Sequence, residues 1–257
     1  MILVHSNRRR RTLKKGKLKQ ILLLTDGCSN QGEDPTLVAN FINEKGITVN
    51  VIGVLDQNDT QSDSLTEVEE IASAGGGVCE IVYPNILTQT VKAVTKQAMT
   101  QTLQGVVNQE LKQIFGKQHE IEELPPDKRG EVMEVVEDLT EMSDLHLLVL
   151  IDTSASMQKK LPTVKEALLD LSLSLNSRVG DNQFAIYCFP GKKKAINKIL
   201  DWSTKLDQLE TVFPKLTSGG ITPTGPALKE ALYRFSQTGL IRSFKKNAES
   251  EAADFNL

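Results

Sequence analysis

Two apolar runs that each end in an aspartate constrain this chain more than anything else in it. In "QILLLTDGCSN", residues 20–30, Ile21, Leu22, Leu23 and Leu24 lead into Thr25, Asp26 and Gly27. In "LLVLIDTSASMQ", residues 147–158, an apolar run leads into Asp152, with Ser154 and Ser156 at alternate positions after it. A strand with one wet face alternates apolar and polar residues. An unbroken apolar run is instead covered on both faces, as in a parallel sheet wrapped by helices.

The rest of the chain supplies the alternation that such a sheet needs. Asp34 and Pro35 start a helix, acid at the cap and proline in the first turn. It carries Leu37, Val38, Phe41 and Ile42 and is closed by Gly46. Residues 47–54 (ITVNVIGV) read as a strand. Ser64 and Glu67 form a capping box for a helix with Val68, Ile71 and Ala72, which stops at Gly75-Gly76-Gly77. Residues 78–83 (VCEIVY) are a third strand. Residues 86–115 place Leu87, Val91, Val94, Ala98, Leu103, Val106, Leu111 and Ile114 near one face of one or two amphipathic helices. Pro125-Pro126 breaks this segment, and residues 128–142 form a further, highly charged helix. The alternation then resumes with a strand at 145–151. Pro162 starts a helix with Leu161, Val164, Leu168, Leu171 and Leu175 on one side, and strands follow at 182–189 and 195–202. A glycine- and threonine-rich turn, "SGGITPTGPA" at 218–227, precedes a helix with Leu228, Ala231, Leu232 and Phe235. The expected fold class is α/β: a doubly wound, mostly parallel six-stranded sheet with helices on both faces. The expected division is a flexible basic arm at 1–19, a half-sheet at 20–90, a helical connector without its own core at 91–143, a second half-sheet at 144–243 and a loose tail at 244–257.

Composition narrows the function classes. The net charge of -3 hides a cluster of Arg8, Arg9, Arg10, Arg11, Lys14, Lys15, Lys17 and Lys19. A basic arm can touch nucleic acid or an anionic surface. It lacks interleaved aromatics and a nucleic-acid fold, so nucleic acid is not the expected partner. Cys28, Cys79 and Cys188 are odd in number and widely spaced, which reads as reduced thiols in the cytoplasm. The apolar runs are too short to span a bilayer, and Met1 to His5 is too short for a signal-peptide core.

Asp152, Ser154 and Ser156 can turn their oxygens towards one point where the chain bends off the strand. Thr222 and Thr224 add hydroxyls at a glycine turn, and Asp26 adds a second carboxylate. This is a hard oxygen set without histidine, suited to Mg²⁺ or Mn²⁺ and not to zinc. Taken singly, each residue has a plainer reading as a helix cap or a turn. Catalysis finds less support. His5, His119 and His146 fall outside the set, so a metal-dependent hydrolase would lack its base. "SMQK" at 156–159 matches Ser-x-x-Lys but has none of that motif's companions.

"VLIDTSASM" resembles the Asp-x-Ser-x-Ser motif of von Willebrand factor A domains, also called integrin I domains. "GGITPTGPAL" resembles their threonine loop, "ILLLTDG" their fourth strand, and "EVEEIASAGGGVCEIVY" their last helix-strand unit. The overall arrangement is similar to that of the YabS-type family of bacilli. The resemblance implies a metal site of Asp152, Ser154, Ser156, Thr222 and Asp26. It also implies that the bound Mg²⁺ takes a Glu or Asp carboxylate from a partner protein, without catalysis. Cys28, Ser29, Gly219 and Gly220 are the expected rim. The order departs from the family's, because the later half of the fold precedes the earlier half. In the order 3-2-1-4-5-6, strands 1 and 4 are neighbours, so docking the halves would bring Asp26 beside Asp152. The expectation is a circular permutation within a monomer; a swapped dimer would use the same contacts between subunits.

Overall fold

The computed structural model describes residues 16–27, 29–55, 62–115, 120–192, 194–206, 209, 213 and 220–237. The strands are β1 (Lys17–Thr25), β2 (Thr48–Val54), β3 (Gly76–Val82), β4 (Asp144–Asp152), β5 (Asn182–Phe189) and β6 (Asn197–Ser203). The helices are α1 (Pro35–Glu44), α2 (Ser62–Ala74), α3 (Leu87–Phe115), α4 (Pro126–Met142), α5 (Leu161–Asn176) and α6 (Thr224–Gln237). The strands form one sheet in the order β3-β2-β1-β4-β5-β6. All neighbours are parallel except the β5–β6 pair, which is antiparallel.

The two aspartate-ended strands are the central pair. β1 and β4 run side by side in register, Lys17 opposite Asp144 through Leu24 opposite Ile151. Both halves of the sheet therefore meet inside one chain. Successive side chains on each strand go to opposite layers, which is why neither run could contain a polar residue. Leu22, Leu24, Leu147, Val149 and Ile151 pack with α3 and α5, while Ile21, Leu23, Leu148 and Leu150 pack with α1, α2 and α6. Replacing any of these fully buried leucines by alanine would cost about 2–5 kcal/mol.

Several local expectations change on the structure. β1 begins at Lys17, so Lys17 and Lys19 belong to a strand and not to the arm; residues 1–15 and the tail at 244–257 lie outside the described residues. On α1, Val38, Ala39 and Ile42 are buried, while Leu37 and Phe41 point outward and Lys45 lies over the Phe41 ring. A ten-residue helix on a sheet offers only one narrow stripe. Asp34 does cap α1, accepting the Thr36 N–H at 2.8 Å. α2 starts at Ser62, ahead of the expected capping box, and Glu67 accepts the Ser29 N–H at 2.6 Å.

The connecting helices pack on the main core. α3 starts at Leu87, and its Leu87, Val91, Val94, Ala98, Met99 and Leu103 belong to the main core. The apolar stripe then leaves the sheet: Val106 and Ile114, expected to be buried, are exposed. The outer end of α3 is instead held by polar links to the segment that follows. Gln104 donates to Met133 Sδ, Asn108 Oδ1 accepts the Ile121 N–H at 3.0 Å, and Lys112 pairs with Glu120. From α4, Val136 joins the same core.

Candidate metal centre

The carboxyl ends of β1 and β4 lie next to each other, so the residues that leave them share one small volume. Asp152 is fully buried. Its Oδ1 accepts the Ser154 N–H at 2.7 Å, which bends the chain off the strand, and its Oδ2 accepts the Thr25 hydroxyl at 2.8 Å. Ser154 Oγ and Ser156 Oγ are 3.1 Å apart, and the Ser156 hydroxyl donates to Asp26 Oδ1 at 2.8 Å. Asp26, Ser156, Ser154 and Asp152 thus form one continuous run of polar contacts across the seam between β1 and β4. Thr153 fastens the turn to β5, its N–H and hydroxyl both donating to the Phe189 carbonyl.

Burial dominates the electrostatics of Asp152. Removal from water raises its carboxyl to about 6, and the nearby Asp26 charge pushes the same way; the Ser154 N–H and the Thr25 and Ser154 hydroxyls pull it back.

Thr222 is buried in the loop before α6 and is tied to the loop after β1. The Asn30 N–H donates to the Thr222 carbonyl at 3.2 Å, and Asn30 Oδ1 accepts the Thr222 N–H at 2.8 Å. Two glycines allow this approach. A Cβ at Gly225 would sit 1.9 Å from the Glu33 carbonyl oxygen, and one at Gly32, where φ is +95°, would sit 2.3 Å from the Pro226 ring. Thr224 is also buried and opens α6, its N–H donating to the Thr222 carbonyl. Of the expected rim, Ser29 is half-buried and Gly220 exposed, whereas Cys28 and Gly219 lie outside the described residues. An open groove of about 1090 Å³ continues from Ser29 and Asn30 between α1 and α2, and it is acidic, lined by Glu33, Asp34, Glu67 and Glu70.

Two members of the site were not anticipated. Thr25 holds Asp152, as described above. Lys160 is 1% exposed at its side chain, and its Nζ lies 2.5 Å from Asp26 Oδ2, whose side chain is 2% exposed. The doubled lysine of "SMQKK" was the signal, but adjacency alone does not say which lysine turns inward. Lys159 is exposed. His146 stands at the other end of β4, buried and 5.7 Å from the Trp202 ring centroid.

Residues 2–97 match the family model described as the von Willebrand factor type A domain. Over 242 residues the chain is 59% identical to YabS of Bacillus subtilis (strain 168), a protein described as uncharacterized, covering 94% of this chain and 99% of that one. This chain belongs to the YabS family of von Willebrand factor A proteins. The YabS-type fold is also seen in the crystal structure of an uncharacterized protein from Alicyclobacillus acidocaldarius subsp. acidocaldarius DSM 446. That protein is 43% identical, with a TM-score of 0.79 over 87% of this chain and 96% of that one. Among the described residues, no cluster of three or more His, Cys, Asp or Glu side chains could hold a metal, so any ion here depends on two carboxylates and hydroxyls.

Proposed function

We propose that this protein is a non-enzymatic, metal-dependent protein-binding module. In this reading Asp26, Asp152, Ser154, Ser156 and Thr222 hold Mg²⁺ or Mn²⁺, and a partner protein supplies a Glu or Asp carboxylate as the outer ligand. The observation that carries the reading is the run of contacts from Asp26 through Ser156 and Ser154 to Asp152, which joins residues 126 to 130 positions apart at the carboxyl edge of the central strands. The residues fit such an ion. All donors are hard oxygens, and Asp26, Ser156, Ser154 and Asp152 are already drawn together by their own hydrogen bonds. When bound, the metal would supply an electrophilic position for an anionic group.

The chain's own groups supply the rest. Thr25 and the Ser154 N–H fix the Asp152 rotamer, and Asn30 holds the Thr222 loop against the loop after Asp26. The acidic groove beside Ser29 favours a partner with basic residues next to its carboxylate. The order of the two half-sheets reads as a circular permutation of a monomer, with α3 and α4 linking what are ordinarily the two ends. The free thiols Cys79 and Cys188 suit a cytoplasmic setting, and among the described residues no helix is long and apolar enough to cross a membrane.

Titration of Mn²⁺ into the parent protein and into Asp152→Ala and Asp26→Ala, followed by electron paramagnetic resonance of the free ion, tests the site. Capture of the partner in Mg²⁺ against chelator tests the function. Saturable binding by the parent and loss in both variants is expected. Equal binding by all three would sink the reading.

A further inference from the structure

Lys160 is a poor choice for its position on every local ground. It occupies the cap of α5 without a side-chain capping bond, where serine or aspartate would satisfy an orphan N–H. It brings a cation to the positive end of a helix dipole. It is also among the largest fully buried side chains of the molecule. A buried ion pair gains little net stability over an apolar pair of similar volume. The turn nonetheless directs it inward: Met157 is buried beneath it in the core, and the Lys160 N–H donates to the Met157 carbonyl. The ammonium ends at Asp26 Oδ2, leaving Asp26 Oδ1 on the side of the serines.

Its charge changes what the site lacks. With Asp26 and Asp152 alone, a divalent ion would bring the site to neutrality, and a further anion would meet no net attraction. With the ammonium present, Asp26, Asp152, Lys160 and the ion together carry one positive charge in a low-dielectric setting, where such an excess is strongly felt.

We propose that Lys160 is a built-in counter-charge that makes the metal and one monoanionic carboxylate bind as a pair, each weakly without the other. The proposal rests on the metal-binding reading above. Lys160 is thus a positioning and charge-setting residue, and it deters both a permanently filled metal site and capture of a neutral group. It also keeps Asp26 partnered whenever the ion is absent.

The test compares the parent with Lys160→Met and Lys160→Arg. Mn²⁺ binding is read by electron paramagnetic resonance with and without acetate as the monocarboxylate probe, and the metal-free proteins are melted. In the parent and the arginine variant, acetate should tighten Mn²⁺ binding by about tenfold. In the methionine variant, Mn²⁺ alone should bind about tenfold more tightly than in the parent, with little response to acetate. If the methionine variant does not melt cooperatively, Lys160→Gln, which keeps a donor for Asp26, carries the same comparison. Equal Mn²⁺ affinity and equal acetate response in a folded neutral variant and the parent would overturn this proposal while leaving the metal site standing. If neither binds Mn²⁺, the metal reading fails and this one with it.

Discussion

The two ends of the central strands bury polar groups in opposite ways. At the amino ends the groups are largely amides and a guanidinium that close backbone. Asn50 donates to Gln20 Oε1 and accepts the Val78 N–H at 3.0 Å. Arg178 donates to the Thr140 and Ser143 carbonyls and to Asn182 Oδ1, and Asn182 donates to the Leu175 carbonyl. At the carboxyl ends the groups are two carboxylates, an ammonium and hydroxyls that mostly satisfy one another. The first arrangement mainly closes the fold's own backbone, although Gln20 Nε2, His146 Nδ1 and Arg178 Nε find no hydrogen-bond partner among the described residues. The second concentrates charge where the fold does not require it, which separates a site from a structural network better than burial alone.

Removing the central charge should break this contrast most sharply. Asp152→Asn should weaken Mn²⁺ binding by about 100-fold or more, since a ligand counts for at least as much as its supports. Its stability at pH 8 should nevertheless equal or exceed the parent's, because the amide can accept the Ser154 N–H and donate to Thr25 Oγ1. Metal titration and urea unfolding read the two effects. The mirror experiment is Arg178→Leu at the amino end. It should lose about 2–4 kcal/mol by leaving buried carbonyls unpaired, with Mn²⁺ affinity unchanged.

Protons should act next. The folded Asp152 carboxyl lies near 6, above its ordinary 3.8, so ionising it opposes folding of the metal-free protein. Its contribution is most favourable below about pH 4 and declines by about 3 kcal/mol as pH rises to about 6. The same protonation competes with metal, so Mn²⁺ affinity should fall by about tenfold per pH unit below 6. The smallest effect belongs to His146. Burial, with help from Lys17, holds its pKa below 6.5, so the folded state resists a proton that the unfolded chain accepts. It therefore destabilises as pH falls below 6.5, opposite in sign to Asp152. Melting curves of the parent, Asp152→Asn and His146→Gln across pH 4–8 should pull these two slopes apart; parallel curves would remove the distinction between the two ends.

Much of this was legible in the residues. Unbroken apolar runs at 21–24 and 147–151 demand cover on both faces, which marks them as interior strands of the sheet. The doubly wound order that the resemblance implies makes those two strands neighbours and so sets Asp26 beside Asp152, and β1 and β4 do pair in register. What escaped were features set by three-dimensional fit. Helical spacing on α3 runs on to Ile114, but Leu103 is the last buried apolar residue of the helix, and Val106 and Ile114 emerge into solvent. Lys160 turns inward because Met157 anchors the preceding turn, and no periodicity records that. Thr25 was visible as the residue before Asp26, yet its importance lies in reaching Asp152, 127 positions away.

That separation has a consequence for how the molecule is made. β1, β2 and β3 leave the ribosome first, and the flank of β1 that will receive β4 stays open while the intervening chain is synthesised. For 127 residues at about 5–20 residues per second, the wait is about 6–25 s, far longer than a strand needs to find a wrong neighbour. A nascent chain of this architecture must therefore have that flank shielded during translation, by an outside factor or by its own growing helices.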